Sequence, residues 1–542
     1  MAERPDDISS TVFRGAAILT AAAILVKVLS AFYRIPYQNL AGDIGFYIYQ
    51  QVYPLYGIAL ILSTYGFPVI ISKLMAEKQG NSKEAGEVLY VSFLILTAVG
   101  LAFFSAVYFG AGRLAAAMGD KQLAPLLKIS AFPFLFMPFI SAARGMFQAG
   151  NDMIPTAVSQ VFEQAVRVSF IIIFTMVLLR GGGSIYKTGG GAVLGSVLGA
   201  AGSTLTLLTF LWIRKFQIPI RARLTPGMLK KTAGMLFIQG TAFCLSSLLL
   251  TLTQLADSFN LYSLLVDAGM APADAKGLKG VFDRGQPLLQ LGSIAATSLS
   301  MAVVPLISSS RAQDDMNYLK EKIRLSLKIT ITLGAGAAAG LILLIKPVNI
   351  MLFTDSSGSG ALAILAATIL PGSLIMILSV ILQSLGRLRS TILIISAGLL
   401  TKLILNMVLV PPFKIEGAAM ATLFAYAFIL GGLLVVLSSK LKLKPGGTKE
   451  LAAWVLGCLG MAAALLLHTL LFKELQLAET GRLATSLQAL SGVGAGGIVY
   501  IWIIVRSGIF PENDLSQLPF GRRLTVLNHH INNKRSYGSD GE

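Results

Sequence analysis

Charge is scarce in this chain. Only 13% of its 542 residues are Asp, Glu, Lys or Arg, against 55% hydrophobic, and the mean hydropathy is +0.73. A water-soluble domain needs a charged surface, so this deficit excludes one as the main body of the protein. Cysteine is scarcer still. Cys244 and Cys458 both lie in apolar runs with no CxxC spacing, which excludes a disulfide framework. The only histidines are His468, His529 and His530, from which no HExxH or other metal constellation can be assembled. No paired carboxylates stand in a soluble domain, as a membrane glycosyltransferase would require. Neither a cofactor nor a nucleotide-binding motif is expected.

What the chain has instead is apolar length. Runs of about 20 residues recur from Thr11 to Val505, each able to cross a hydrocarbon core roughly 30 Å thick. The expectation is an all-α membrane protein with fourteen transmembrane helices. They are placed near 11–32, 46–72, 88–110, 123–143, 157–179, 190–212, 232–254, 284–307, 325–345, 361–383, 391–410, 417–438, 451–471 and 486–505. Ala21-Ala22-Ala23 resembles a signal-peptide cleavage site, but it lies inside the first run, so cleavage is not expected.

An even number of spans puts both termini on one side, and basic residues say which. Segments on the N-terminal side carry 28 Lys and Arg, the opposite side 12, and four inside spans complete the 44. That bias places both termini in the cytoplasm of a cell-membrane protein. The net charge of +18 is read the same way, as basic loops against an anionic leaflet and not as a nucleic-acid surface. Anionic membrane lipids are therefore expected partners. The assembly is expected to be a monomer.

Three marks recur at one offset. Val69–Lys73 aligns with Pro305–Ser309, Met146–Thr156 with Ile381–Thr391 (Gln148 on Gln383), and Arg167 with Lys402. They predict two six-helix lobes, 1–215 and 232–440, entering from the same side and related by a parallel pseudo-two-fold. Between them 216–231 reads as a basic cytoplasmic linker held to anionic lipid. Residues 441–506 hold helices 13 and 14, and 507–542 a polar cytoplasmic tail.

Polar residues inside the spans fall on helical faces. Thr156, Ser159, Gln160, Glu163 and Arg167 form one stripe, with Arg167 near the midplane and Glu163 one turn away as its expected partner. A charge there is costly and is a functional hypothesis by default. Asp283, Gln286, Gln290, Ser293, Thr297 and Ser300 form a second stripe, with Arg284 beside it. Lys402 and Asn406 stand one turn apart in span 11; Gln239, Ser246, Thr253 and Asp257 make a weaker stripe in span 7. Lys27, Ser30 and Arg34 share a face toward the outer end of span 1, where Lys27 and Arg34 could equally snorkel to the headgroups, as could Arg284. The cations Lys27, Arg34, Arg167, Arg284 and Lys402 outnumber Glu163, Asp257 and Asp283. A positive excess in low dielectric suits an anionic substrate.

"RGMFQAGNDMIPTAVSQVFEQAVRV" (144–168), "FDRGQPLLQLG" (282–292) and "KVLSAFYRIPYQNLAG" (27–42) together resemble the polysaccharide-flippase branch of the multidrug/oligosaccharidyl-lipid/polysaccharide exporter superfamily. Within it the chain looks most like the group of stage V sporulation protein B and the lipid II flippases. The resemblance covers nearly the whole chain. It implies a V-shaped, two-lobed transporter of an undecaprenyl-diphosphate-linked sugar, with Lys27, Arg34 and Arg284 facing a central cavity. It also implies a lipid-tail groove at helices 13 and 14. One departure is that Tyr47 to Ser72 holds no basic residue, whereas some lipid II flippases carry arginine in span 2. The expected function is export of a lipid-linked anionic oligosaccharide, with Lys27, Arg34, Glu163, Arg167, Asp283, Arg284, Gln290 and Lys402 as substrate-binding candidates. The alternative is a cation-coupled multidrug antiporter, which would need carboxylates as the dominant cavity charge and usually twelve spans. A scaffold without transport would leave the polar stripes unexplained.

Overall fold

The computed structural model describes residues 5–78, 81–216, 226–294, 316–441, 447–474 and 481–510. Every regular element among them is helical, as backbone in lipid must satisfy its hydrogen bonds within the segment. The first half runs α1 (Pro5–Phe32), α2 (Arg34–Ile61), α3 (Phe67–Ala76), α4 (Ser82–Ala117), α5 (Ala124–Ala131), α6 (Pro133–Ala149), α7 (Ile154–Arg180) and α8 (Ile185–Ile213). The second runs α9 (Pro226–Met235), α10 (Thr241–Asp267), α11 (Pro272–Asp283), α12 (285–294), α13 (Met316–Leu343), α14 (Ile345–Phe353), α15 (Ser359–Ala367), α16 (Ile369–Ser384), α17 (Leu388–Leu441), α18 (Thr448–Glu474) and α19 (Arg482–Arg506).

Ten helical stretches among the described residues are long and apolar enough to cross a membrane. Two of them, Ala17–Ala76 and Leu388–Leu441, run to 60 and 54 residues. At about 1.5 Å per residue a straight 54-residue helix would span about 80 Å, far beyond one bilayer core. Both are broken. In α2 the break is Gly42, at φ 67° and ψ −179°, a conformation open to glycine and closed to side chains. In α17 Pro411 and Pro412 withdraw two donors, and the chain reverses at Lys414 (φ 49°). Each stretch is thus long enough for two crossings. A π-helical turn, Leu62–Gly66, joins α2 to α3, and a second, Leu236–Gly240, joins α9 to α10.

Several expectations fall outside the described residues: 217–225 of the basic linker, the later part of the span at 284–307 with Thr297 and Ser300, Pro305–Ser309 of the repeat, and 511–542 of the tail. Within the linker as expected, α9 already begins at Pro226 and carries Lys230 and Lys231. Of the residues matched in the expected repeat, Gln148 is the penultimate residue of α6 and Gln383 of α16.

The chain packs as two compact units. One comprises Met1–Ile294 with Leu382–Leu433; the other comprises Ala295–Ile381 with Leu434–Glu542. In the first, α7 and α8 lie in close contact because α8 offers glycine where α7 approaches. A Cβ on Gly199 would sit 2.9 Å from the Glu163 carbonyl oxygen and 3.0 Å from the Arg167 Cβ. In the second, α13, α18 and α19 pack through Tyr500, whose hydroxyl donates to the Thr332 carbonyl at 2.7 Å, and Trp454, whose Nε1 donates to Thr332 Oγ1 at 2.9 Å. Lys328 pairs there with Glu450 at 3.1 Å.

Candidate functional site

Arg167 is the central residue of the 27-residue α7, so about 20 Å of helix lies on either side of it. Its guanidinium is fully buried. Glu163, the expected partner, is one turn away but does not pair with it. Instead the Glu163 carboxylate accepts from Arg144 Nη2 at 2.9 Å and from the Tyr56 hydroxyl at 3.4 Å. The reason is packing across helices. Arg144 lies inside α6, fully buried, and not in a cytoplasmic loop as its place after "ISAA" suggests. It uses its whole fork: Nε to Ser159 Oγ (3.0 Å), Nη1 to the Ser63 carbonyl (3.2 Å) and Thr64 Oγ1 (3.0 Å), Nη2 to Ser203 Oγ (2.9 Å) as well as Glu163. The π-turn matters here, since Ser63 and Thr64 belong to it.

Arg167 is left with aromatic company. Its Cζ stands 5.3 Å from the Tyr33 ring centroid and 5.1 Å from that of Tyr56, and Nη2 donates to Ser30 Oγ at 3.2 Å. Nε and Nη1 are buried without a hydrogen-bond partner. Arg34, at the start of α2, is in the same situation. Its Cζ lies 4.5 Å from the Tyr53 ring centroid, Nη1 reaches Gln290 Oε1 at 3.5 Å, and Nε is buried without a partner. Tyr49, Tyr53 and Tyr56 follow helical spacing on α2. Their rings touch in series, Tyr33 to Tyr49 at 6.2 Å, Tyr49 to Tyr53 at 5.9 Å and Tyr53 to Tyr56 at 6.0 Å. Two guanidiniums and four tyrosines therefore form one cluster, buried except for a half-buried Tyr53.

Arg34 is 3% exposed and Arg284 is fully buried, so neither extends to the headgroups as a snorkelling residue would. Arg284 is held by Asp43, with Nη2 to Oδ2 at 2.7 Å and Nε to Oδ1 at 3.0 Å. Asp43 is brought within reach by the Gly42 break. The approach also needs Gly280, where a Cβ would meet the Asp43 carbonyl oxygen at 2.0 Å. Asp283 pairs with Lys279 at 2.7 Å, one turn back on α11, and not with an arginine. Lys279 is fully buried and is no loop residue. Lys402, on α17, donates to Asp257 at 2.6 Å and to the Thr253 carbonyl at 3.0 Å, while Asn406 Nδ2 donates to the other Asp257 oxygen at 3.0 Å. So Asp257 of the weak stripe in span 7 is the counter-charge of Lys402. Asp120 takes Lys276 at 3.1 Å and the hydroxyls of Tyr186 and Tyr47. Lys27 is half-buried on α1.

The balance of charge follows. Buried Arg144, Lys279, Arg284 and Lys402 each have a carboxylate partner. Among the described residues, Arg34 and Arg167 are buried arginines with no carboxylate within ion-pair distance. Sequence reasoning missed Arg144, Asp43, Lys279 and the tyrosines. The 49–53–56 spacing of tyrosines was a legible signal; the partnerships of Arg144 and Asp43 depend on packing between distant helices.

Among the described residues no group of His, Cys, Asp and Glu could hold a metal ion. Two uncompensated guanidiniums with unused donors, set against tyrosine rings with the Gln290 amide beside Arg34, can bind an anion with several oxygens, such as a phosphate ester.

Comparisons with known proteins agree on a family. Residues 12–311 match the family described as Polysaccharide biosynthesis protein. The chain is 42% identical over 517 residues to YabM, an uncharacterized membrane protein of Bacillus subtilis (strain 168), covering 95% of this chain and 96% of that one. It is 24% identical over 546 residues to the lipid II flippase MurJ of the same organism, covering 95% and 98%. In fold it is similar to a solved structure of lipid II flippase MurJ in an inward closed conformation, with a TM-score of 0.66 at 17% identity, covering 90% of this chain and 98% of that one.

Proposed function

The chain belongs to the polysaccharide biosynthesis protein family, in the flippase branch of the multidrug/oligosaccharidyl-lipid/polysaccharide exporter superfamily, and from that premise we propose that it is a flippase for an undecaprenyl-diphosphate-linked cell-wall or polysaccharide precursor. On this reading the fourteen spans form two six-helix lobes with helices 13 and 14 apart, and both termini lie in the cytoplasm. Substrate enters from the inner leaflet and leaves to the outer one by alternating access.

One observation carries the proposal. Four buried cations are matched by carboxylates, while Arg34 and Arg167 are left unmatched with guanidinium nitrogens unused. Burying an uncompensated arginine costs several kcal/mol, a cost accounted for where a ligand supplies the missing charge. A diphosphate has that charge and enough oxygens for two forks. Lys27 adds to the positive face. Gln290 orients Arg34, and Glu163, Asp283, Arg284 and Lys402 hold the surrounding helices in register. The tyrosine rings offer stacking surfaces for a sugar.

The multidrug antiporter reading fares worse on the same observation. A cationic drug or coupling ion needs a carboxylate free of internal partners, and Asp43, Asp120, Glu163, Asp257 and Asp283 are each taken by a lysine or arginine. The test in cells is leaflet-specific labelling of lipid-linked precursors after depletion of this protein. Precursor should accumulate in the inner leaflet; an unchanged distribution, with no second flippase present, counts against the proposal.

A further inference from the structure

Glu163 and Arg167 stand at i and i+4 on one helix, the arrangement that ordinarily yields an ion pair. Here they do not pair, and the residue that prevents it can be named. Arg144 binds Glu163 at 2.9 Å and is fixed by four further hydrogen bonds to Ser159, Ser63, Thr64 and Ser203. Those partners come from the π-turn, α7 and α8, so the guanidinium is immobilised from three sides. Glu163 in turn accepts from Tyr56, whose ring lies under Arg167.

We infer that Arg144 is a positioning residue for the anion site: it withdraws the Glu163 carboxylate from Arg167 and so keeps the Arg167 guanidinium available to substrate. The inference rests on the reading of Arg34 and Arg167 as the anion site. A clamp that served stability alone would not require the arginine at the midplane to go unmatched. An Arg167 paired internally with Glu163 would have little net charge left for a diphosphate, and substrate would have to break a buried ion pair in order to bind. Arg144 removes that competition in advance. It also orients Tyr56 through Glu163, so the ring against Arg167 belongs to the same arrangement.

The experiment has two arms on the purified full-length chain. The first needs no ligand. Melting temperatures of Glu163→Gln, Arg167→Gln and the double variant should be additive in the natural background. In an Arg144→Met background they should become non-additive, because Glu163 is then released to pair with Arg167. Additivity in both backgrounds overturns the inference, whatever the substrate is. The second arm measures binding of farnesyl diphosphate as probe. Arg144→Met should weaken it about tenfold or more, and adding Glu163→Gln should recover most of that loss. A well-folded Arg144→Met/Glu163→Gln protein that binds no better than Arg144→Met overturns it. If Arg144→Met does not fold, the charge-neutral Arg144→Met/Glu163→Gln protein decides: with no carboxylate left to compete, it should bind the probe as the natural protein does, and a tenfold weakening contradicts the inference. Should Arg167→Gln leave probe binding untouched, the anion site itself is wrong, and the ligand-free arm still reports whether Arg144 withdraws Glu163.

Discussion

At the scale of single residues, this protein is organised by which buried charges are matched and which are not. Lys402 and Asp257 illustrate the matched case, with a 2.6 Å pair at 1% exposure each. Removing one member strands the other in low dielectric, so Lys402→Met should destabilise the fold by about 3–5 kcal/mol, and adding Asp257→Asn should return much of it. Thermal melting of the purified variants checks this; a Lys402→Met protein as stable as the parent would show that the pair is solvated. Arg167 illustrates the unmatched case. Arg167→Gln should leave the melting temperature unchanged or raised, since it removes a costly charge, yet lower transport at least tenfold. A fall in stability matching the fall in activity would instead make Arg167 a structural residue. The place of Arg167 mid-helix was legible, because it follows from counting along a helix. Partner choice was not legible. Glu163 pairs with Arg144, nineteen positions back, and Arg284 with Asp43, 241 positions back, and such choices are set by how helices pack.

At the scale of elements, breaks in long helices place these residues. Gly42 ends the first part of α2 so that Asp43 turns toward α11, and Gly280 opens the space that Asp43 occupies. Gly280→Ala would press a methyl into the Asp43 backbone. It should cost about 1–3 kcal/mol and loosen the Arg284–Asp43 pair, a change that melting and crosslinking of cysteines placed across α2 and α11 can follow. No loss of stability would mean that the two segments part readily. Long apolar runs were legible as spans because lipid imposes length and hydrophobicity together. The positions where a run bends were less so. Pro411-Pro412 announces a reversal in the sequence, whereas the π-turn at Leu62–Gly66 leaves no comparable mark. Arg144 lies just past the span expected at 123–143, whereas α6 continues to Ala149 and keeps it inside the helix.

For the whole molecule, if the proposed function holds, the net positive site bears on what drives export of a diphosphate-linked substrate. A diphosphate carries about two negative charges, and the cytoplasm is electrically negative. Outward movement is thus downhill by about 2.3 kcal/mol per charge per 100 mV, or about 4.6 kcal/mol in all. The same field returns an empty, positive carrier, so the membrane potential alone should power export. Collapsing the potential while ion gradients are kept should slow flipping strongly; an unchanged rate would transfer the work to an ion gradient. The proposed orientation has its own check: a cytoplasm-only reporter after Lys231 should be active and one near Gly269 silent.

The most direct measurement of the central claim is flipping itself. The purified protein is placed in liposomes loaded with an undecaprenyl-diphosphate-linked sugar, under an imposed potential, and the fraction of headgroup reachable from outside is followed with time. The parent protein should move the lipid, and Arg34→Gln/Arg167→Gln, equally folded and inserted, should leave it where it started. A double variant that flips the lipid at the parent rate would contradict the account.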